Sequence, residues 1–209
     1  MKILTVTTDC NGYLVFDDHR NAAIIDPGAG AEKFGQIIDE QGLKPEKILL
    51  THGHFDHFGA AQTLKEKYAC PLWISEADAP MLTDGEKNAA APFGYSFVPT
   101  QADGFVSDGD FIRVGDLCFE VIATPGHTRG GVTYRIENAL FTGDTLFRGT
   151  VGRTDLYGGN PLTLMRSLTK LLDLPGDFTV YPGHGEITTL RREEAENHCI
   201  RKRGHETHH

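Results

Sequence analysis

The chain has 209 residues, a length that suits one domain and allows a substantial buried core. Its formal net charge is −9 and no run of Lys or Arg precedes residues 191–203, which argues against a nucleic-acid partner. No apolar run approaches the roughly 20 residues needed to span a bilayer, and residues 1–10 lack the pattern of a secretion signal. We therefore expect a cytoplasmic protein without a membrane partner. The four cysteines lie far apart with no CxxC pair, which indicates neither a thiolate zinc cage nor a disulfide framework.

The first third of the chain predicts a β-meander followed by two strand-loop-helix units. Short runs rich in Val, Ile and Leu are separated by turn residues, and a run with apolar residues at helical spacing ends at Gly42. In chain order we predict strands at residues 2–8, 13–17 and 22–26, a helix at 31–41, a strand at 48–50 and a helix with Ala60, Leu64 and Tyr68 on one face.

The remainder predicts a second series of strands followed by helices. In chain order we predict a strand at 72–74, a short helix at 76–82, a long loop at 85–100, strands at 111–114, 117–123, 131–135 and 139–141, a helix at 161–172, a strand at 178–181 and a terminal helix at 190–198. Two sheets packed together with helices outside would bury these apolar strands on both faces. We therefore predict an α/β fold, a four-layer αββα sandwich of two mixed sheets. We expect a single domain over residues 1–198 and a charged, His-containing, disordered tail at 199–209.

The strongest local signal is the segment His52-Gly53-His54-Phe55-Asp56-His57, which directly follows a predicted strand. Its four potential metal ligands can turn toward one point because the loop is compact. Imidazole and carboxylate ligands without thiolate suit zinc, iron or manganese. The alternative is a polar turn with solvated histidines, which a lone HxH pair would favour and four ligands at this spacing do not.

Three later segments also place a potential ligand beside a glycine at the end of a predicted strand. The ligands are His127 after Pro125-Gly126, Asp144 after Gly143, and His184 between Gly183 and Gly185. Glycine allows a tight turn and a close approach of the backbone, although each segment alone could be an ordinary exposed turn. Together with the first loop they supply seven ligands, which are too many for one small ion and suit two ions that share a carboxylate. Such a pair can hold a hydroxide nucleophile, and no G-x-S-x-G motif indicates a covalent alternative.

With these residues in this order, the sequence resembles the metallo-β-lactamase-fold superfamily and, within it, the glyoxalase II (hydroxyacylglutathione hydrolase) group in its short single-domain form. The resemblance implies two divalent metal ions per chain, zinc in the first place, with iron or manganese as alternatives. It places His52, His54 and His127 on one ion, Asp56, His57 and His184 on the second, and Asp144 between them.

The resemblance also assigns roles to three aspartates. Asp56 and Asp144 are the implied catalytic residues, because Asp56 orients a metal-bridging hydroxide and Asp144 holds both ions. Asp26 matches an aspartate that supports the metal loops without binding metal. The alternative for Asp26 is a simple turn cap.

The implied reaction is hydrolysis of a small-molecule thioester, S-lactoylglutathione or a smaller relative. Long glyoxalase II proteins carry a Lys and a Tyr where this chain has Gly152-Arg153-Thr154-Asp155, and they add a basic C-terminal domain, whereas about twenty residues follow Thr189 here. Arg153 is therefore a candidate for holding a substrate carboxylate, and a surface salt bridge to Asp155 is the alternative.

Other functions share the same ligand pattern. The main alternative is a persulfide dioxygenase that uses one iron, since that group shares the pattern at residues 152–155. The Pro182-Gly183-His184-Gly185 segment favours the hydrolase, because the dioxygenases commonly have Pro-Ala-His-Asp there. A lactonase or β-lactamase, and a non-catalytic metal-binding protein of this fold, are further alternatives. The sequence does not specify the oligomeric state.

Overall fold

The computed structural model describes residues 1–201, which contain two six-stranded sheets, one two-stranded ribbon and six α-helices. The strands are β1 (Lys2–Thr7), β2 (Asn11–Phe16), β3 (Asn21–Ile25), β4 (Lys44–Leu49), β5 (Leu72–Ser75), β6 (Gly104–Val106), β7 (Phe111–Val114), β8 (Leu117–Ala123), β9 (Val132–Ile136), β10 (Ala139–Gly143), β11 (Leu146–Phe147), β12 (Thr150–Val151), β13 (Thr179–Pro182) and β14 (Thr188–Thr189). The helices are α1 (Ala31–Gln41), α2 (Phe55–Phe58), α3 (Ala61–Tyr68), α4 (Pro161–Leu172), α5 (Leu190–Glu196) and α6 (His198–Arg201).

Both large sheets are mixed. The first has the order β1-β2-β3-β4-β5-β6, with antiparallel pairing as far as β3 and parallel pairing beyond it. The second has the order β14-β13-β10-β9-β8-β7, in which only β10 and β13 pair in parallel. Strands β11 and β12 form the separate ribbon.

The alternation of side chains along the strands produces three apolar layers. In β2, Leu14 packs with α1 and α3 on the outer face of the first sheet, whereas Tyr13 and Val15 pack between the two sheets. On the far face of the second sheet, Leu140 packs against α4, which contributes Leu168. Apolar strands buried on both faces thus give four layers, helix, sheet, sheet and helix, and the predicted fold class is confirmed.

Strand direction explains why the polar loops meet at one edge of the sandwich. In the first sheet β3 and β4 run in the same direction, and in the second sheet β8, β10 and β13 do so. The loops at their carboxyl ends therefore emerge together. These loops carry the predicted supporting residue Asp26 and the seven ligands predicted from the sequence, namely His52, His54, Asp56, His57, His127, Asp144 and His184.

Several elements differ from the sequence predictions. The helix predicted at residues 76–82 is a single 3-10 turn at Ala79–Thr83, which contains Pro80. The helix predicted at 190–198 divides into α5 and α6, because Asn197 is extended and its amide donates to the carbonyl oxygen of Thr150 at 3.0 Å. Residues 199–201 of the predicted disordered tail belong to α6, and the rest of that tail lies outside the described residues.

Among the helices formed by residues 1–201, none has both the length and the apolar character required to cross a membrane.

Candidate metal centre

The loop after β4 brings three buried histidines and one partly exposed carboxylate to the edge where the two sheets meet. His52, His54 and His57 are at most 3% exposed, and the side chain of Asp56 is 22% exposed. The loop is anchored at its start, because the carbonyl oxygen of Leu50 accepts a hydrogen bond from the Tyr134 hydroxyl in the opposite sheet at 2.9 Å. The loop therefore presents its ligands within the sandwich and not as a solvated turn.

The three later loops bring the remaining side chains to the same place. His127 Nε2 lies 2.9 Å from His54 Nδ1, and His184 Nε2 lies 3.3 Å from His57 Nε2. Asp144 lies between these two pairs, with Oδ2 3.5 Å from His127 Nε2 and Oδ1 3.2 Å from His57 Nε2. All seven side chains predicted as ligands thus surround one centre.

The cluster divides into two groups, each with ligand atoms within 4.8 Å of one another. The groups are His52, His54 and His127, and Asp56, His57 and His184. They correspond to the two ligand sets implied by the sequence resemblance, with Asp144 between them.

Asp26 fixes the orientation and the tautomer of two of these histidines. Its carboxylate accepts hydrogen bonds from His57 Nδ1 at 2.9 Å and from the Thr51 hydroxyl at 2.6 Å, and the oxygen of that hydroxyl lies 3.1 Å from His52 Nδ1. Asp26 also meets the spacing for a ligand with His52 and His57, but it bonds the outer nitrogen of His57 and is itself buried. Asp26 therefore supports the loop, and Nε2 of both histidines faces the centre.

His127 is oriented in the same way by a backbone group. Its Nδ1 donates to the carbonyl oxygen of Arg153 at 2.8 Å, so that its Nε2 is turned toward His54 and Asp144. His52 and His127 of the first group are therefore held as metal-binding imidazoles are, with an oxygen against the outer nitrogen.

Burial and neighbouring charges set the protonation of the cluster. Burial lowers the pKa of His52 well below its ordinary value and that of His54 to about 3, so both rings are neutral at pH 7. Burial alone would raise the pKa of Asp56 and of Asp144, but the nearby histidines outweigh it and both pKa values are lowered. The nearby carboxylates raise the pKa of His184 and, despite burial, that of His57, so these two rings give up a proton when a divalent cation binds. The neutral His52 and His54 rings and the ionised carboxylates already have the binding form.

Three buried polar atoms of the cluster point to such a cation. Within the part of the chain that the structure describes, His52 Nε2, His54 Nε2 and Asp144 Oδ1 are buried and form no hydrogen bond. An unsatisfied buried donor or acceptor costs roughly 1–3 kcal/mol, and metal ions bound by the cluster would offset that cost. The donor set therefore fits divalent metal.

Asp78 is a supporting residue that the sequence analysis missed. Its side chain is fully buried and accepts hydrogen bonds from Gly53 N at 3.1 Å, the Thr128 hydroxyl at 2.6 Å and Gly130 N at 2.7 Å. One carboxylate thus joins the loop that carries His52 to the loop that carries His127. The residues around Asp78 in the sequence predict only a short helix, so no local signal marks it.

The loop of His184 is held by two residues of β2 that the sequence analysis did not select. The amide of Asn11 donates to the carbonyl oxygens of Pro182 at 3.2 Å and Gly185 at 2.8 Å, and the Tyr13 hydroxyl donates to Pro182 at 2.6 Å. Gly183 is needed here because an added Cβ would collide with Asp144 Oδ1. Asn-Gly is a common turn sequence, but here Asn11 and Gly12 are the first two residues of β2.

A cavity of about 450 Å³ opens above the cluster, and Arg153 lies in its wall. The guanidinium donates two hydrogen bonds to the Asp155 carboxylate, each of 2.7 Å, and packs over the Phe93 ring at 5.6 Å. The hydrogen bonds from Arg153 lower the pKa of Asp155 to about 2. Arg153 thus lies where a substrate would meet it, but its fork is occupied by Asp155, which is the alternative that the sequence left open.

Fold and cluster together define the class of this protein. Four layers with a His/Asp cluster at one sandwich edge are the framework of a hydrolase that binds divalent metal. The chain belongs to the metallo-β-lactamase superfamily, whose family model matches residues 6–184.

The chain is similar over nearly its whole length to relatives whose names state different activities. It is 38% identical to the hydroxyacylglutathione hydrolase GloC of Haemophilus influenzae, across 94% of this chain and 96% of GloC. Among solved structures, it matches the B3 metallo-β-lactamase BLEG-1 with a TM-score of 0.91 and 33% identity, covering 96% of this chain and 99% of the other. It matches TTHA1623 in a di-iron-bound form with a TM-score of 0.83 and 37% identity, covering 94% and 98%. The short single-domain glyoxalase II-like form predicted from the sequence agrees with these lengths.

Proposed function

We propose that this protein is a metal-dependent hydrolase that cleaves a thioester of the S-lactoylglutathione type to a carboxylic acid and a thiol. The observation that carries the proposal is the convergence of seven His and Asp side chains on one centre, with Nδ1 of His52, His57 and His127 each against an oxygen outside the cluster and Nε2 facing it. The hydroxyacylglutathione hydrolase activity in the name of GloC supports the choice of substrate.

The proposed metal ligands follow the two groups of the cluster. His52, His54 and His127 would hold one ion, Asp56, His57 and His184 the other, and Asp144 both. Two divalent ions bound there would acidify water and polarise an ester carbonyl. We propose zinc, because nitrogen and carboxylate donors suit it; iron is the alternative, supported by the di-iron form of TTHA1623, and manganese is a further one.

The nucleophile is water because the cavity offers no covalent alternative. Among the described residues that line it, none is a serine or a cysteine. Cys10 is buried nearby, and burial holds the pKa of its thiol far above the ordinary value, so it is a poor nucleophile.

The chain's own carboxylate then orients this water. The Asp56 carboxylate lines the cavity and has one oxygen 3.2 Å from His184 Nε2, so it can accept a proton from water on the open side of the cluster. A thiol leaves as a thiolate with little need for protonation, since its ordinary pKa is about 8.5. A thioester therefore requires no general acid on the leaving-group side.

The test is an assay of S-lactoylglutathione hydrolysis by the zinc-loaded protein, in which the released thiol is measured. We expect turnover that a chelator abolishes and that added zinc restores. Oxygen consumption with glutathione persulfide is measured in parallel on iron-loaded protein. Uptake of oxygen without thioester cleavage would contradict the proposal and support the dioxygenase, and cleavage of a lactone or β-lactam alone would support those alternatives.

A further inference from the structure

Two cavities share Phe55 and Asp56 in their linings. One, of about 450 Å³, opens on the metal cluster and has Phe55, Phe93 and Phe147 in its wall. The other, of about 530 Å³, lies on the far side of a stack between Phe55 and Tyr95, whose ring centroids are 5.1 Å apart. A substrate bound at the cluster therefore has an aromatic wall on one side and a second compartment on the other.

The cations around the first cavity are already paired with carboxylates. Arg148, which follows the lining residue Phe147, forms a salt bridge with Glu186. Lys87 forms one with Asp84 at 2.7 Å. These pairs leave each cation partly neutralised.

Two further cations remain to be considered. Arg129 packs over the Tyr157 ring at 5.5 Å, but it lines a separate polar cavity beside α4. Among the described residues, Arg153 is the only Lys or Arg that lines the cavity above the cluster, and two of its N–H groups donate to Asp155. A substrate carboxylate entering this cavity would therefore meet, in the described lining, only an arginine that is already paired.

The backbone at this position adds a constraint. The Arg153 carbonyl oxygen accepts a hydrogen bond from His127, which ties the main chain to the metal cluster. The Arg153 side chain binds Asp155, two residues further along the chain, and packs on Phe93. The Asp155 carboxylate takes two of the five N–H donors of this guanidinium and offsets its positive charge, and the Phe93 ring covers one face of it. The pair is half exposed, so it is weak enough for one substitution to release the arginine.

From this arrangement we infer that Asp155 determines specificity: by pairing with Arg153 it offsets the charge of the one Lys or Arg in the described cavity lining, and the site favours thioesters whose thiol part carries no carboxylate over those of glutathione. The inference rests on the proposed function and narrows its substrate class. A site discriminates between two ligands when it denies one of them a partner charge, as well as when it binds the other more tightly.

The test compares two substrates that share the acyl group and the peptide skeleton. They are S-lactoylglutathione and its dimethyl ester, in which both carboxylates are masked, each assayed with the zinc-loaded full chain. We expect the wild-type protein to have a higher kcat/KM for the dimethyl ester than for S-lactoylglutathione, because its KM for the ester is lower. In Asp155→Asn the ratio of kcat/KM for the ester to kcat/KM for S-lactoylglutathione should fall about tenfold. A tenfold change is the scale of one charge-assisted hydrogen bond.

Two further variants isolate the cause. The double variant Arg153→Gln, Asp155→Asn should not show the shift toward S-lactoylglutathione, because it has no guanidinium to release. Asp39→Asn removes the carboxylate of another exposed pair, with Lys67, outside both cavities, and should leave the ratio unchanged. A wild-type preference for S-lactoylglutathione, or an unchanged ratio in Asp155→Asn, overturns this inference alone. If the protein hydrolyses neither thioester, both the proposed function and this inference are overturned.

Discussion

Replacing Asp144 by alanine is expected to remove metal from both groups of ligands and to lower kcat/KM by more than about a hundredfold, or roughly 3 kcal/mol of transition-state stabilisation. Asp144 lies between the two groups, with carboxylate oxygens 3.5 Å from His127 and 3.2 Å from His57. Without it the first group has only three nitrogen ligands, and no shared ligand joins it to the second group. Metal content and kinetics measured on the same preparation check the prediction.

The matched variant is Asp56→Asn, since Asp56 belongs to the second group only. We expect it to lose one metal ion per chain while the first group keeps its own. Full metal occupancy and unchanged kinetics in Asp144→Ala would contradict the shared position of this carboxylate.

Replacing Asp26 by asparagine is expected to lower metal affinity by about 10- to 100-fold, the usual cost of losing a residue that orients a metal ligand. The carboxylate accepts from Thr51 and from His57 Nδ1. An amide of the same shape presents a donor on one side, which favours the His57 tautomer with its proton on Nε2, directed at the cluster. The ring then cannot bind metal without losing that proton.

A metal titration with a competing chelator measures this loss. Asp17→Asn is the control, because Asp17 is also buried and bonded to its neighbours, but in the turn between β2 and β3. We expect that control to lower stability and to leave metal affinity unchanged. Equal affinities for Asp26→Asn and the wild type would show that Asp26 only caps its turn.

The metal ligands could be found in the sequence because their signals are local. Four of them form one compact segment after an apolar strand, and the other three each follow a glycine at a strand end, as in Gly143-Asp144 and Gly183-His184. Parallel strands bring such loop ends to one edge. The alternation of apolar residues likewise predicted the strands and the longer helices, such as α1 and α4. These features depend on near neighbours in the chain.

The supporting residues could not be found because they act across long sequence separations. Asp78 joins backbone donors at Gly53 and Gly130, and Asn11 binds the carbonyl oxygen of Gly185. Nothing near these residues in the sequence specifies such partners. Short strands such as β6 and β14 were missed for the same reason, since they form only through pairing with a neighbour.

The measurement that tests the central claim most directly is the metal content of the anaerobically purified chain, combined with anomalous diffraction from its crystals. We predict two ions per chain, one against His52, His54 and His127 and one against Asp56, His57 and His184, with Asp144 touching both. A single ion at saturating metal, with Asp56 and His184 free of it, would contradict the two-metal centre.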